Sequence, residues 1–242
     1  MKLNINFEKF KKNHRNKKDQ IIFFAKSCKN YSRVENLFRF LLVEKDSFIF
    51  ESVEKGKVRG RYTIIGLKPD KTWDINKNIV TLKTKNKVKK NKIKPLIFLN
   101  KLINDFKLVI PKKLPMMSSM LVGYFSYDII RYVEKIPNKC LDDLKIPDVR
   151  ILRPTNIIIY DNLKKKIYYI ENIFADYNIK NYYEKYQSIK DNFNLFQNYE
   201  KLVLPEKFTH KINNNKIKSN IFKNRFKEIV KKAKKHINDG DI

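Results

Sequence analysis

The feature that most constrains this chain is a strand, a polar turn and a second strand within residues Phe48 to Pro69. Phe48, Ile49 and Phe50 form one short apolar run, and Tyr62 to Leu67 form another, rich in β-branched and aromatic side chains. Between them stand Gly56 and Gly60, two of only five glycines in the chain, where a positive φ is least costly. The first strand ends on Glu51 and Ser52. A carboxylate and a hydroxyl placed there can receive the ammonium group of a small amino acid, and Arg59 or Arg61 can receive its carboxylate. The competing reading of the same residues is a solvated hairpin end.

The rest of the chain alternates short strands with helices and lacks βαβ regularity. Gln20–Ala25 reads as a strand, Asn30–Phe40 as a helix with Ser32 as N-cap, and Lys71–Ile75 with Ile79–Leu82 as a second hairpin. Lys83–Lys94 reads as a lysine-rich mobile connector. A helix opening at Pro95 carries Leu96, Leu99, Leu102, Ile103 and Phe106 on one face. Met120–Phe125 reads as a strand crossing Gly123, a position that marks a bulge or close backbone approach. Tyr127–Glu134 reads as helical, and Tyr124, Tyr127 and Tyr132 as half-buried structural tyrosines. Ile157–Tyr160 and Ile167–Ile170 form a third hairpin about a charged turn, Asp161–Lys165. Asn181–Phe196 is an amphipathic helix. After a polar stretch at 201–218, Ser219 or Asn220 caps a helix with Phe222, Phe226, Ile229, Val230, Ala233 and Ile237 on one stripe and Gly240 at its C-terminus.

Composition narrows the function classes. Hydrophobic content of 42% and aromatic content of 13% describe a folded globule. No apolar run has bilayer-spanning length and the N-terminus lacks a signal-peptide core, so the reading is cytoplasmic, with no membrane partner. Cys28 and Cys140 are isolated and imply neither a disulfide framework nor a metal site. The net charge of +29 comes from lysine spread through a chain also rich in Asn and Ile. An AT-rich coding bias produces that trio, and no zinc-finger, RNA-binding or basic-zipper pattern accompanies it, so no nucleic-acid partner is read. His14, His210 and His236 lie in basic, polar surroundings and read as surface residues. No P-loop, dinucleotide-binding, nucleophile-elbow or zinc-ligand motif is present, and no catalytic residue is assigned.

Ile49-Phe50-Glu51-Ser52, Gly60-Arg61-Tyr62-Thr63-Ile64-Ile65-Gly66, Gly123-Tyr124-Phe125-Ser126-Tyr127-Asp128 and Leu152-Arg153-Pro154-Thr155 occur in that order. Together they resemble the anthranilate synthase component I family. Phe50 and Thr63 stand where leucine and serine are usual. The resemblance implies an α+β fold of antiparallel β-sheets packed as a sandwich with flanking helices. It also implies a regulatory tryptophan site at Glu51 and Ser52, with Arg61 as a weaker contributor. The implied domains are 1–200 (regulatory), 201–218 (linker) and 219–242 (first helix of a truncated chorismate-binding catalytic domain). The implied parent enzyme converts chorismate and ammonia to anthranilate and pyruvate. It uses magnesium, whose ligands are expected outside this chain, and a glutamine amidotransferase subunit, and L-tryptophan inhibits it. Without the catalytic domain this chain is expected to be inert. Two neighbouring readings are aminodeoxychorismate synthase component I and a stand-alone amino-acid-binding module. The Gly-Lys-Val-Arg-Gly-Arg-Tyr and Leu-Arg-Pro-Thr runs favour the anthranilate enzyme over the first.

Overall fold

The structure, a computed structural model, describes residues 3–41, 45–51, 60–106, 108–137, 141–198 and 218–241. The described helices are α1 (Phe7–Arg15), α2 (Tyr31–Leu41), α3 (Pro95–Asp105), α4 (Tyr182–Gln197) and α5 (Lys223–Asn238). The described strands are β1 (Gln20–Ser27), β2 (Phe48–Phe50), β3 (Tyr62–Asn76), β4 (Ile79–Lys83), β5 (Val88–Lys92), β6 (Val122–Phe125), β7 (Val149–Asp161) and β8 (Lys166–Ile173). All pairings are antiparallel. The chain divides into two compact units, Met1–Leu204 and Pro205–Ile242.

The expected α+β class is observed, and hydrogen bonding joins its strands into one eight-stranded sheet, ordered β1-β8-β7-β3-β4-β5 with β2 on β3 and β6 on β7. Its axis is the long β3–β7 pair. At one end β7 continues into β8 and β1 while β3 carries β2; at the other end β7 carries β6 and β3 carries β4 and β5. The two layers expected of a sandwich thus share their two longest strands. Sequence reading carries neither strand through its proline: it ends one strand before Pro69 and starts another at Lys71, and it begins the second long strand only at Ile157. The structure instead sets Pro69 opposite Pro154 and carries the strands through on a register shift between Pro69 and Lys71.

That irregularity is secured by side chains. Lys68 takes a left-handed conformation (φ 50°), and its carbonyl accepts the Thr155 hydroxyl at 2.7 Å. Arg153 forks onto Asp70 at 2.8 and 2.5 Å and also reaches Asp176 at 2.7 Å, which lies beyond β8 and pairs with Lys71 as well. The guanidinium lies 3.9 Å from the Phe174 ring centroid. Burial pushes the Arg153 pKa down, and the hydrogen bonds it donates to Asp70 and Asp176 more than reverse this.

Three apolar clusters fill the first unit. One sheet face presents Ile22, Ile65, Ile158, Tyr160 and Ile167 to α1, α2 and α4. The other presents Ile21, Ile64, Ile157, Ile159 and Ile170 to Leu114, Met117 and Met120. Because both faces are covered, Ile157–Tyr160 reads as an unbroken apolar run instead of an alternating one. The third cluster packs Trp73, Ile75, Val80, Val149 and Ile151 against Leu99 of α3.

Several expectations change. His14 is buried, its Nε2 bonded to the Tyr177 carbonyl at 2.9 Å and its Nδ1 to the Tyr182 hydroxyl at 3.0 Å, so it ties α1 to α4. The lysine-rich connector contains β5, whose side chains are all exposed. Backbone pairing with β4 supports it without any apolar alternation to read. On α3, Leu96 and Ile103 are exposed, while Leu99, Phe98 and Leu102 pack inward. Tyr127–Tyr132 is a 3-10 helix; Tyr132 donates to Asp148 at 2.6 Å, whereas Tyr127 is exposed. Ser32 lies inside α2, which begins at Tyr31. The predicted close approach at Gly123 is real: an added Cβ there would lie 1.8 Å from the Arg150 carbonyl oxygen on β7. Gly240 closes α5 with φ 77°, its amide bonding the Ile237 carbonyl and that of Asp241 the His236 carbonyl, a Schellman arrangement. Cys140 and His210 lie outside the described residues.

Replacing Arg153 with Met leaves Asp70, with a side chain only 4% exposed, as an unpaired buried charge. The expected loss is roughly 3–5 kcal/mol, read as a fall in the denaturation midpoint with unchanged slope.

Candidate functional site: a cleft where β2 ends and β3 begins

β2 docks on β3 with Phe48 opposite Gly66, Ile49 opposite Ile65 and Phe50 opposite Ile64. Gly66 lies under the Phe48 ring: an added Cβ would lie 2.1 Å from a ring carbon, so the ring would have to move. Past this pairing Glu51 leaves β2, and Gly60, with φ 73°, leads Arg61 into β3. Between these ends lies a cleft of about 630 Å³. Glu51 and Arg61 both line it, with Tyr62, Ile64 and Met117 supplying apolar and aromatic surface. Two of the three residues singled out from sequence thus share one cavity wall. The third, Ser52, and also Arg59, lie outside the described residues.

Arg61 has a partner that sequence reading missed. Its Nε and Nη2 donate to the two carboxylate oxygens of Asp161 at 3.1 and 2.8 Å, and its guanidinium stands 4.8 Å from the Tyr62 ring centroid. Asp161 also accepts the Leu163 and Lys164 amides at 3.0 Å, so one carboxylate organises the β7–β8 turn and orients the arginine. The hydrogen bond to Asp161 raises the Arg61 pKa. Burial pushes the Asp161 carboxyl up, and the bonds from Arg61 and the two amides more than offset this, so it titrates below the ordinary range. The fork uses two of five guanidinium N–H groups and leaves others for a ligand carboxylate. The only sequence signal for Asp161 is a charged residue ending an apolar run; Met117 gives none, because its Met-Met-Ser-Ser context has no periodicity.

This arrangement suits recognition of a small zwitterion with an apolar side chain. Among the described residues no group of three or more His, Cys, Asp or Glu side chains could hold a metal ion. The described residues do not fit a magnesium site. None of the described helices is long and apolar enough to cross a membrane.

The lowered Asp161 pKa carries a sign. Its contribution to stability is full above the unfolded carboxylate value of about 3.9 and is lost as pH falls through the lower folded value. An Asp161→Asn variant is therefore expected to be less stable than the parent near neutrality, with the difference narrowing in acid, as measured by denaturation at stepped pH.

Comparison with known proteins adds a family. The profile of the chorismate binding enzyme family matches residues 45–242. Anthranilate synthase component 1 of Acetivibrio thermocellus is 31% identical over 214 residues, covering 86% of this chain and 43% of that protein. The Saccharomyces cerevisiae protein of the same name is 32% identical over 204 residues, covering 82% and 38%. Anthranilate synthase alpha subunit 2 of Arabidopsis thaliana, a chloroplastic protein, is 30% identical over 244 residues, covering 85% and 37%. The chain thus spans less than half the length of these relatives. The crystal structure of anthranilate synthase component I from Streptococcus pneumoniae superposes with a TM-score of 0.52 at 19% identity, covering 81% of this chain and 41% of that one. That likeness bears on the fold, as the profile match bears on descent: the chain belongs to the chorismate binding enzyme family.

Proposed function

We propose that this chain is the N-terminal, tryptophan-sensing part of an anthranilate synthase component I. In this reading residues 1–200 are the regulatory domain, and 219–242 open the domain that converts chorismate and ammonia to anthranilate and pyruvate. The chain acts in the cytoplasm, and a glutamine amidotransferase subunit supplies the ammonia. Magnesium belongs to the converting domain, where it would hold the chorismate carboxylate.

The observation that carries this reading is the shared cleft of Glu51 and Arg61 on the β2–β3 hairpin, in a chain whose reported relatives bear the anthranilate synthase name. The ammonium of L-tryptophan pairs with Glu51 and the Ser52 hydroxyl, and its carboxylate takes the Arg61 N–H groups not spent on Asp161. Its indole lies against Tyr62, Ile64 and Met117.

Titration calorimetry of the 242-residue chain with L-tryptophan tests this. Saturable binding is expected, weakened about tenfold or more in Glu51→Gln and Ser52→Ala, since each removes a polar contact to a charged group. Absence of binding by a chain that circular dichroism shows to be folded would overturn the sensing role. Anthranilate formation by this chain alone would overturn its expected inertness.

A further inference from the structure

A second cavity, of about 340 Å³, lies between α3 and the β3–β4–β5 part of the sheet. Its size is that of a small-molecule site: an apolar cavity with a few polar groups at its edge. Trp73 and Phe98 are its aromatic lining residues, and Leu102 is among the aliphatic ones. Phe98 and Leu102 are only partly buried, so the helix does not close fully on the sheet there.

The rim carries two acids and two bases: Asp105, Asp176, Lys71 and Lys101. They are not equivalent. Asp176 is engaged by Lys71 and by Arg153, so those charges are spent on holding the β3 irregularity. Lys101 and Asp105 stand four residues apart on α3, and among the described residues neither forms an ion pair. The cavity lining thus offers one cation and one anion, four residues apart on α3, together with two aromatic rings. A lone carboxylate ligand would leave Asp105 facing like charge, and a lone amine would do the same to Lys101. A zwitterion satisfies both.

The geometry points to a second amino-acid site in this cavity, taking a small aromatic amino acid whose carboxylate faces Lys101, whose ammonium faces Asp105 and whose ring enters between Trp73 and Phe98. None of these residues belongs to the β2–β3 cleft, so the site stands or falls independently of the tryptophan-sensing reading.

Trp73 supplies the readout, being the only tryptophan in the chain and part of the cavity wall. L-phenylalanine, which does not emit where indole does, is titrated against the full chain while Trp73 emission is followed. A saturable change is expected, with affinity lowered at least about tenfold in Lys101→Met and in Asp105→Asn and unchanged in Glu51→Gln. Both substituted residues are exposed, and far-UV circular dichroism checks that the variants retain their helices. Lack of a saturable change, or one insensitive to both α3 variants, would overturn the site. So would a change lost in Glu51→Gln, which would put the ligand in the other cleft.

Discussion

Two prolines facing each other across the central strand pair are the constraint on which this structure turns. Pro69 and Pro154 sit opposite one another in β3 and β7, and neither brings an N–H to the ladder. The strands remain a single pair because Thr155 and Arg153, beside Pro154 on β7, satisfy Lys68 and Asp70, which flank Pro69 on β3. The shift of register separates the sheet into two working ends. One holds the β2 hairpin and its cleft; the other holds β4, β5 and α3 with the second cavity. Arg153 reaches Asp176 as well, so the clamp that mends the central pair also positions an acid at the rim of that cavity.

Charge is handled locally around this frame. Asp161 sits at the end of β7 and faces Arg61 at the start of β3, so the guanidinium is oriented before any ligand arrives. At the other end Asp74 of β3 takes a fork from Arg150 at 2.6 and 2.8 Å and a contact from Lys83 at 2.6 Å. Burial pushes the Asp74 carboxyl up, and these cations more than reverse it. Both acids bind partners on neighbouring strands, so they set register as well as charge.

Much of this was legible in the sequence. The β2–β3 strands and the β7–β8 hairpin follow from apolar runs bounded by turn residues, α4 from its amphipathic period, and the Gly123 contact from a glycine placed inside a strand. Glu51 and Arg61 were legible as a pair because their chemistry is complementary to an amino acid. The rest was hidden for identifiable reasons. A proline ordinarily ends a strand, so β3 reads as two strands and β7 only as its Ile157–Tyr160 part. β5 has no apolar face to show. His14 reads as solvated because the partners that bury it, Tyr177 and Tyr182, lie far along the chain. Asp161 reads as a turn residue until the fold brings Arg61 beside it.

The lysine-bearing edge has a further consequence. β5 is held by its backbone and puts both of its faces in water, so no buried neighbour selects among its side chains. Such a strand tolerates substitution at every position that keeps its extended backbone. The run from Val88 to Lys92 can therefore absorb a codon bias toward lysine with little effect on the interior, while its like charges discourage another sheet from joining that edge. Part of the +29 charge thus rests where folding is least sensitive to it.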